Sequence, residues 1–162
     1  YGMAVNFNRS LSETTRLRSS IGFDSTEDSA GANQSNPIGE ISIISNLQTY
    51  RVLASYQRSV QGSGSAEVSV RDAISLNLTH NLSEKFSVGA GLRAYQSQAL
   101  DSTAIGFDEQ DYVQIGGLFV WNLTRTYSID FDYRHTYSDR SNLASDASSN
   151  LVTVWFRYRP IR

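Results

Sequence analysis

From Tyr127 the chain alternates strictly: Tyr127, Ile129, Phe131, Tyr133, His135 and Tyr137 fall on one side, and Ser128, Asp130, Asp132, Arg134 and Thr136 on the other. A period of two belongs to a strand with two unlike faces; a helix would mix the two sets around its axis. The last segment repeats the pattern, with Val152, Val154, Phe156 and Tyr158 against Thr153, Trp155, Arg157 and Arg159. So does Phe86, Val88, Ala90, Leu92 and Ala94 against Ser87, Gly89, Gly91, Arg93 and Tyr95. Weaker alternation over residues 1–8, 15–23, 39–44, 50–57, 74–79 and 112–121 predicts roughly nine strands and leaves little for helices. Several segments reach the ~9–11 residues that a tilted strand needs to cross a bilayer, longer than the usual strand of a soluble sheet.

The connections are of two kinds. Four are short and alike, Ser10-Leu-Ser-Glu-Thr-Thr, Asn46-Leu-Gln-Thr-Tyr, Asn81-Leu-Ser-Glu-Lys-Phe and Asn122-Leu-Thr-Arg-Thr-Tyr. Their leucines, Leu11, Leu47, Leu82 and Leu123, recur at intervals of about 35 to 41 residues, a repeat of one hairpin plus one loop. The loops between them, residues 24–36, 61–65, 98–110 and 138–149, are longer and rich in Ser, Gly, Asn and Asp. Tight turns at one end and long polar loops at the other are the habit of outer-membrane barrels, whose turns face the periplasm. Tyr50, Phe86, Trp121, Tyr127, Tyr137 and Tyr158 stand near strand ends, where a ring lies at headgroup level.

Composition alters this picture only by exclusion. The 162 residues carry 14 Lys and Arg against 16 Asp and Glu, so no overall basic field attracts nucleic acid. No cysteine is present, hence no disulfide framework and no thiol nucleophile. No run approaches the ~18 apolar residues of a membrane helix. A mean hydropathy of −0.35 is no argument for solubility, because every second residue of a membrane barrel faces a polar lumen.

Asn122-Leu-Thr-Arg-Thr-Tyr-Ser-Ile, then Asp132-Tyr-Arg-His-Thr-Tyr, a polar loop, and Val152-Thr-Val-Trp-Phe-Arg-Tyr-Arg-Pro resemble the end of the β-barrel porins found with exopolysaccharide and capsule secretion genes. The resemblance implies the bacterial outer membrane of a Gram-negative cell and a larger barrel of which residues 1–162 form a single C-terminal portion. It also implies lipopolysaccharide, polysaccharide and periplasmic export components as partners.

The expected fold is therefore all-β, an antiparallel up-and-down transmembrane β-barrel with about eight or nine strands in this chain. The expected function is a pore or export channel for polysaccharide or other hydrophilic solutes, with no cofactor. The alternatives are a non-conducting structural or adhesive outer-membrane barrel and a soluble secreted β-sandwich. Alternation assigns Arg16, Arg18, Arg51, Arg93, Arg134, Arg157 and Arg159 to the lumen with Glu40, Asp130 and Asp132, and Ile129, Phe131, Tyr133, Val152, Val154 and Phe156 to the lipid. Such a lining favours anionic solutes, unless Asp130 and Asp132 pair across strands with Arg157 and Arg159 and neutralise much of it.

Tyr56, Tyr95 and Tyr112 are candidates for stacking on sugar rings, against an ordinary packing role. The loop carboxylates Asp24, Glu27, Asp28, Asp101, Asp108, Glu109 and Asp111 lack the ligand spacing of a calcium loop and read as solvated; no metal site is expected. Neither His80 nor His135 has a serine in a nucleophile-elbow setting, so no catalytic residue and no enzyme activity is expected.

Overall fold

A computed structural model describes residues 2–27, 33–62, 68–99, 109–140 and 146–159. Nine strands run through them: β1 (Gly2–Ser10), β2 (Thr15–Glu27), β3 (Asn33–Asn46), β4 (Tyr50–Gly62), β5 (Val68–Asn81), β6 (Phe86–Ala99), β7 (Gln110–Asn122), β8 (Tyr127–Arg140) and β9 (Ala147–Tyr158). Each pairs antiparallel with its neighbours in sequence, giving one up-and-down sheet ordered β1 to β9, with no helix among the described residues.

Every segment expected from alternation is a strand, but most are longer than the alternation suggested. β2 continues to Glu27, β3 begins at Asn33, and β8 runs on to Arg140, so parts of the expected loops 24–36 and 138–149 are ladder. Serine, threonine and asparagine there break the apolar alternation without breaking backbone pairing. Even Pro37 is accommodated: it faces Phe23 of β2, while pairing with β4 starts only at Gly39, so its missing N–H costs no bond on that side.

The repeated turns share one construction. The hydroxyl of Ser12 accepts hydrogen bonds from the backbone N–H of Thr14 and Thr15, that of Ser83 from Lys85 and Phe86, and that of Thr124 from Thr126 and Tyr127. A Ser or Thr directly after the repeated leucine thus closes three of the four turns by its own side chain.

The hairpins are staggered in a constant sense. Thr15, the first residue of β2, faces Ser45, one short of the end of β3; Tyr50 faces His80 and Phe86 faces Trp121 in the same way. The N–H groups of Asn46, Asn81 and Asn122 donate to the carbonyls of Thr14, Thr49 and Lys85, each at 2.8 Å, and that of Arg159 donates to Thr126 at 2.7 Å. Each hairpin slides about two residues past the one before, ~7 Å along the strands for every ~10 Å across them, a slope of ~35°.

The sheet has two unlike faces and no second layer among the described residues. Among the described residues Val70 is the one buried hydrophobic residue, and no side chain is fully enclosed. Met3, Val5, Ile21, Ile74, Ile115, Val152 and Phe156 are each more than half exposed, on the same face. β1 and β9 form free edges, each pairing with one neighbour only.

Candidate functional site

Register places the sequence-predicted residues on opposite faces as alternation requires. One row on the polar face runs Asn8, Arg18, Ser42, Ser55, Ser75, Arg93, Gln114, Thr136, Ser149, from β1 to β9. Parity along each strand adds Arg16, Glu40, Arg51, Asp130, Asp132, Arg134 and Arg157 to that face. Arg159 lies one residue beyond the end of β9. Ile129, Phe131 and Tyr133 face Phe156, Val154 and Val152 across the opposite, apolar face.

The expected neutralisation of the arginines occurs only in part. Arg157 pairs with Asp130, whose side chain is 4% exposed and also accepts a hydrogen bond from Ser128 at 3.2 Å. Asp132 pairs with Arg134 of its own strand at 2.7 Å rather than with Arg159, at an angle that makes the contact ionic and not a hydrogen bond. The correction follows from strand geometry: Asp132 and Arg134 stand two residues apart on one face, whereas Arg159 has left the ladder. Arg71 and Asp24 belong to the same face but escaped the alternation, which was recognisable only from Ile74 in β5 and ended at Phe23 in β2.

Eight arginines, 16, 18, 51, 71, 93, 134, 140 and 157, therefore share this face with Asp24, Glu40, Asp130 and Asp132. Three cavities, of about 380, 300 and 170 Å³, open on it. The largest lies over Gly91 and Gly116, which face one another in register. Asn77 and Arg134 flank the two glycines in the same row and lean over them: a Cβ on Gly91 would come within 3.2 Å of the Asn77 amide oxygen, and one on Gly116 within 3.5 Å of the Arg134 stem.

The three tyrosines separate. Tyr95 and Tyr112 stack on each other on the polar face, ring centres 4.7 Å apart, and the Arg71 guanidinium covers Tyr95 at 4.3 Å. Tyr56 is on the apolar face, where its hydroxyl donates to Asp72 at 2.6 Å beside an Arg58–Asp72 ion pair at 3.2 Å.

The apolar face is bounded by rings at its turn end. Tyr50 stacks on His80, Phe86 touches Phe119 and Trp121, Phe119 touches Phe131, and Tyr127 touches Phe156 and Tyr158. At the loop end, Tyr56 and Tyr137 turn their hydroxyls to Asp72 and Asp146. Along β8, Tyr127 and Tyr137 are ~33 Å apart at ~3.3 Å per residue, which a ~40° tilt reduces to ~25 Å of depth. Both histidines lie on this face, His135 with its Nδ1 2.9 Å from the Asn150 amide oxygen.

Of the loop carboxylates, Asp28, Asp101 and Asp108 and the Glu27 side chain lie outside the described residues. Glu109 accepts hydrogen bonds from Gln96 and Gln98. Among the described residues no three His, Asp or Glu come together as a metal site. No family model, no curated protein and no solved structure matches this chain.

Proposed function

We propose that this chain is part of a bacterial outer-membrane β-barrel whose polar face lines a channel for hydrophilic solutes, polysaccharide among them. The observation that carries the reading is the apolar face: a continuous surface of exposed aliphatic side chains with no protein layer over it among the described residues, edged by aromatic rings. An apolar surface on that scale is not kept in water, and a single sheet has nothing to fold over it. Lipid of ~25 Å thickness between two aromatic girdles covers it.

The stagger of the hairpins supports closure, since a slope of ~35° is the strand tilt of a barrel. The free edges set how closure happens. β1 and β9 are first and ninth in an antiparallel order, so they run in the same direction and do not meet as an antiparallel pair. An odd number of further strands between them completes an even-stranded barrel. A barrel wider than about eight strands leaves room for water inside, and the resemblance to exopolysaccharide porins points the same way.

The test is single-channel conductance of the purified full-length protein in planar bilayers, with insertion verified by a heat-modifiable gel shift. Steady conductance with a preference for anions is expected. Silence from inserted protein would remove the channel and leave a structural barrel. Solubility of folded protein without detergent would remove the barrel as well.

A further inference from the structure

We propose that the hollow over Gly91 and Gly116 is a binding station for an acidic sugar unit, with Arg93 holding the anion and the Tyr95–Tyr112 stack receiving a sugar face. The inference deepens the channel reading by naming a ligand class for its polar face, and it rests on that reading for its biological setting alone.

The hollow exists because the two central positions of one register row carry no side chain, and Gly89 in the next row toward the turns carries none either. Arg93 and Gln114, paired in register, form the wall toward the loop end; Leu118 forms the wall toward the turns. Its volume of about 380 Å³ falls within the range of small-ligand sites. Two arginines and one carboxylate line it, and the carboxylate, Asp132, is already engaged by Arg134. Arg93 makes no ion pair among the described residues and is exposed, so its planar guanidinium is available to take a carboxylate or phosphate through two parallel hydrogen bonds.

The row beyond Arg93 and Gln114 supplies the second element. Arg71, Tyr95 and Tyr112 stack in that order across β5, β6 and β7, each layer polarising the next. Arg71 and Tyr112 approach the Tyr95 ring from β5 and β7, on either side of it. Tyr112 ends the stack on the β8 side, where its register partner is only a serine, Ser138. With no second ring or cation stacked on it among the described residues, Tyr112 offers an apolar ring to the C–H face of a sugar and a hydroxyl to its rim. Anion holder and ring platform stand on adjacent positions of the same strand pair, so one ligand spans them only if it carries both a charge and an apolar face.

Isothermal titration of the detergent-solubilised full-length protein tests the assignment with three probes: trigalacturonate, maltotriose and inorganic phosphate. Trigalacturonate is expected to bind about tenfold more tightly than the other two. Arg93→Gln should abolish its advantage over maltotriose, and Tyr112→Leu should weaken both sugars about fivefold while leaving phosphate unchanged. Arg18→Gln, on the same face outside the hollow, should change affinity by no more than about twofold.

Wild-type affinity in either site variant, phosphate binding as tight as trigalacturonate, or an equal loss in Arg18→Gln would overturn the site. Binding without conductance would keep the site and remove the channel. Conductance without binding would do the reverse.

Discussion

Asp130 and Arg157 are paired asymmetrically: the carboxylate is 4% exposed while the guanidinium that meets it is about half exposed, at 49%. Removing the arginine strands a buried charge with Ser128 as its remaining partner, whereas removing the carboxylate leaves the arginine free to turn into water. Arg157→Ala should therefore destabilise by about 2–4 kcal/mol, and Asp130→Asn by ~1 kcal/mol or less. Urea midpoints of the refolded protein in liposomes would rank them. The opposite order would mean that Asp130 is not the desolvated member of the pair.

The face assignment predicts a contrast between adjacent residues of β9. Val154→Arg places a cation on the apolar face next to Phe131, while Thr153→Arg places one on the polar face next to Asp132. The first should cost ~2–4 kcal/mol of insertion free energy near the midplane and the second little. Ser128→Arg is a poor polar-face control, because Ser128 is buried beside Asp130 and an arginine there crowds the pair whatever surrounds the sheet. Equal folding yields for the two β9 variants would remove the distinction between lipid and lumen.

What the sequence revealed and what it hid divide along physical lines. Period two is written wherever one face is apolar, so the alternation separates Phe131 and Val154 from Asp130 and Arg157, and the register likewise sets them on opposite faces. Toward the loop end both faces become polar and the period disappears, although the ladder continues through Ser25, Thr26 and Ser35. Arg71 and Arg58 lie in such stretches. Counting back from Ile74 would have put Asp72 on the apolar face, and the register then sets Arg58 beside it. The Gly91–Gly116 hollow was out of reach because it depends on which strands align at which residue, and alternation within one strand carries no register.

A glycine at the β1–β2 seam gives a third expectation. A Cβ on Gly22 would lie 2.8 Å from the Cα and Cβ of Ala4, its register partner, against the backbone of β1. Backbone has no flexible end to swing aside, so β1 must move away. Gly22→Ala should cost about 1–3 kcal/mol, and the loss should fall on β1 pairing first. A Val5→Cys, Ile21→Cys pair, which faces across the same seam, would report it: disulfide formation in mild oxidant should drop in the Gly22→Ala background. Unchanged cross-linking would mean that the seam is looser than this geometry.

The charge on the polar face predicts how selectivity responds to salt. Eight arginines stand against four carboxylates there, and among the described residues only Arg134 and Arg157 are engaged in ion pairs on that face. In a wide aqueous lumen these charges act through solution, with a screening length of ~10 Å at 0.1 M salt and ~3 Å at 1 M. Reversal potentials should show anion preference at low salt that fades toward none at 1 M. Arg51→Glu combined with Arg93→Glu leaves six arginines against six carboxylates, so at low salt the anion preference should vanish. A preference that survives 1 M salt unchanged would require a constriction narrower than the screening length, where ions pass in contact with the wall. In that case the double substitution should lower conductance as well as abolish selectivity, whereas in the wide lumen conductance at 1 M stays near the starting value.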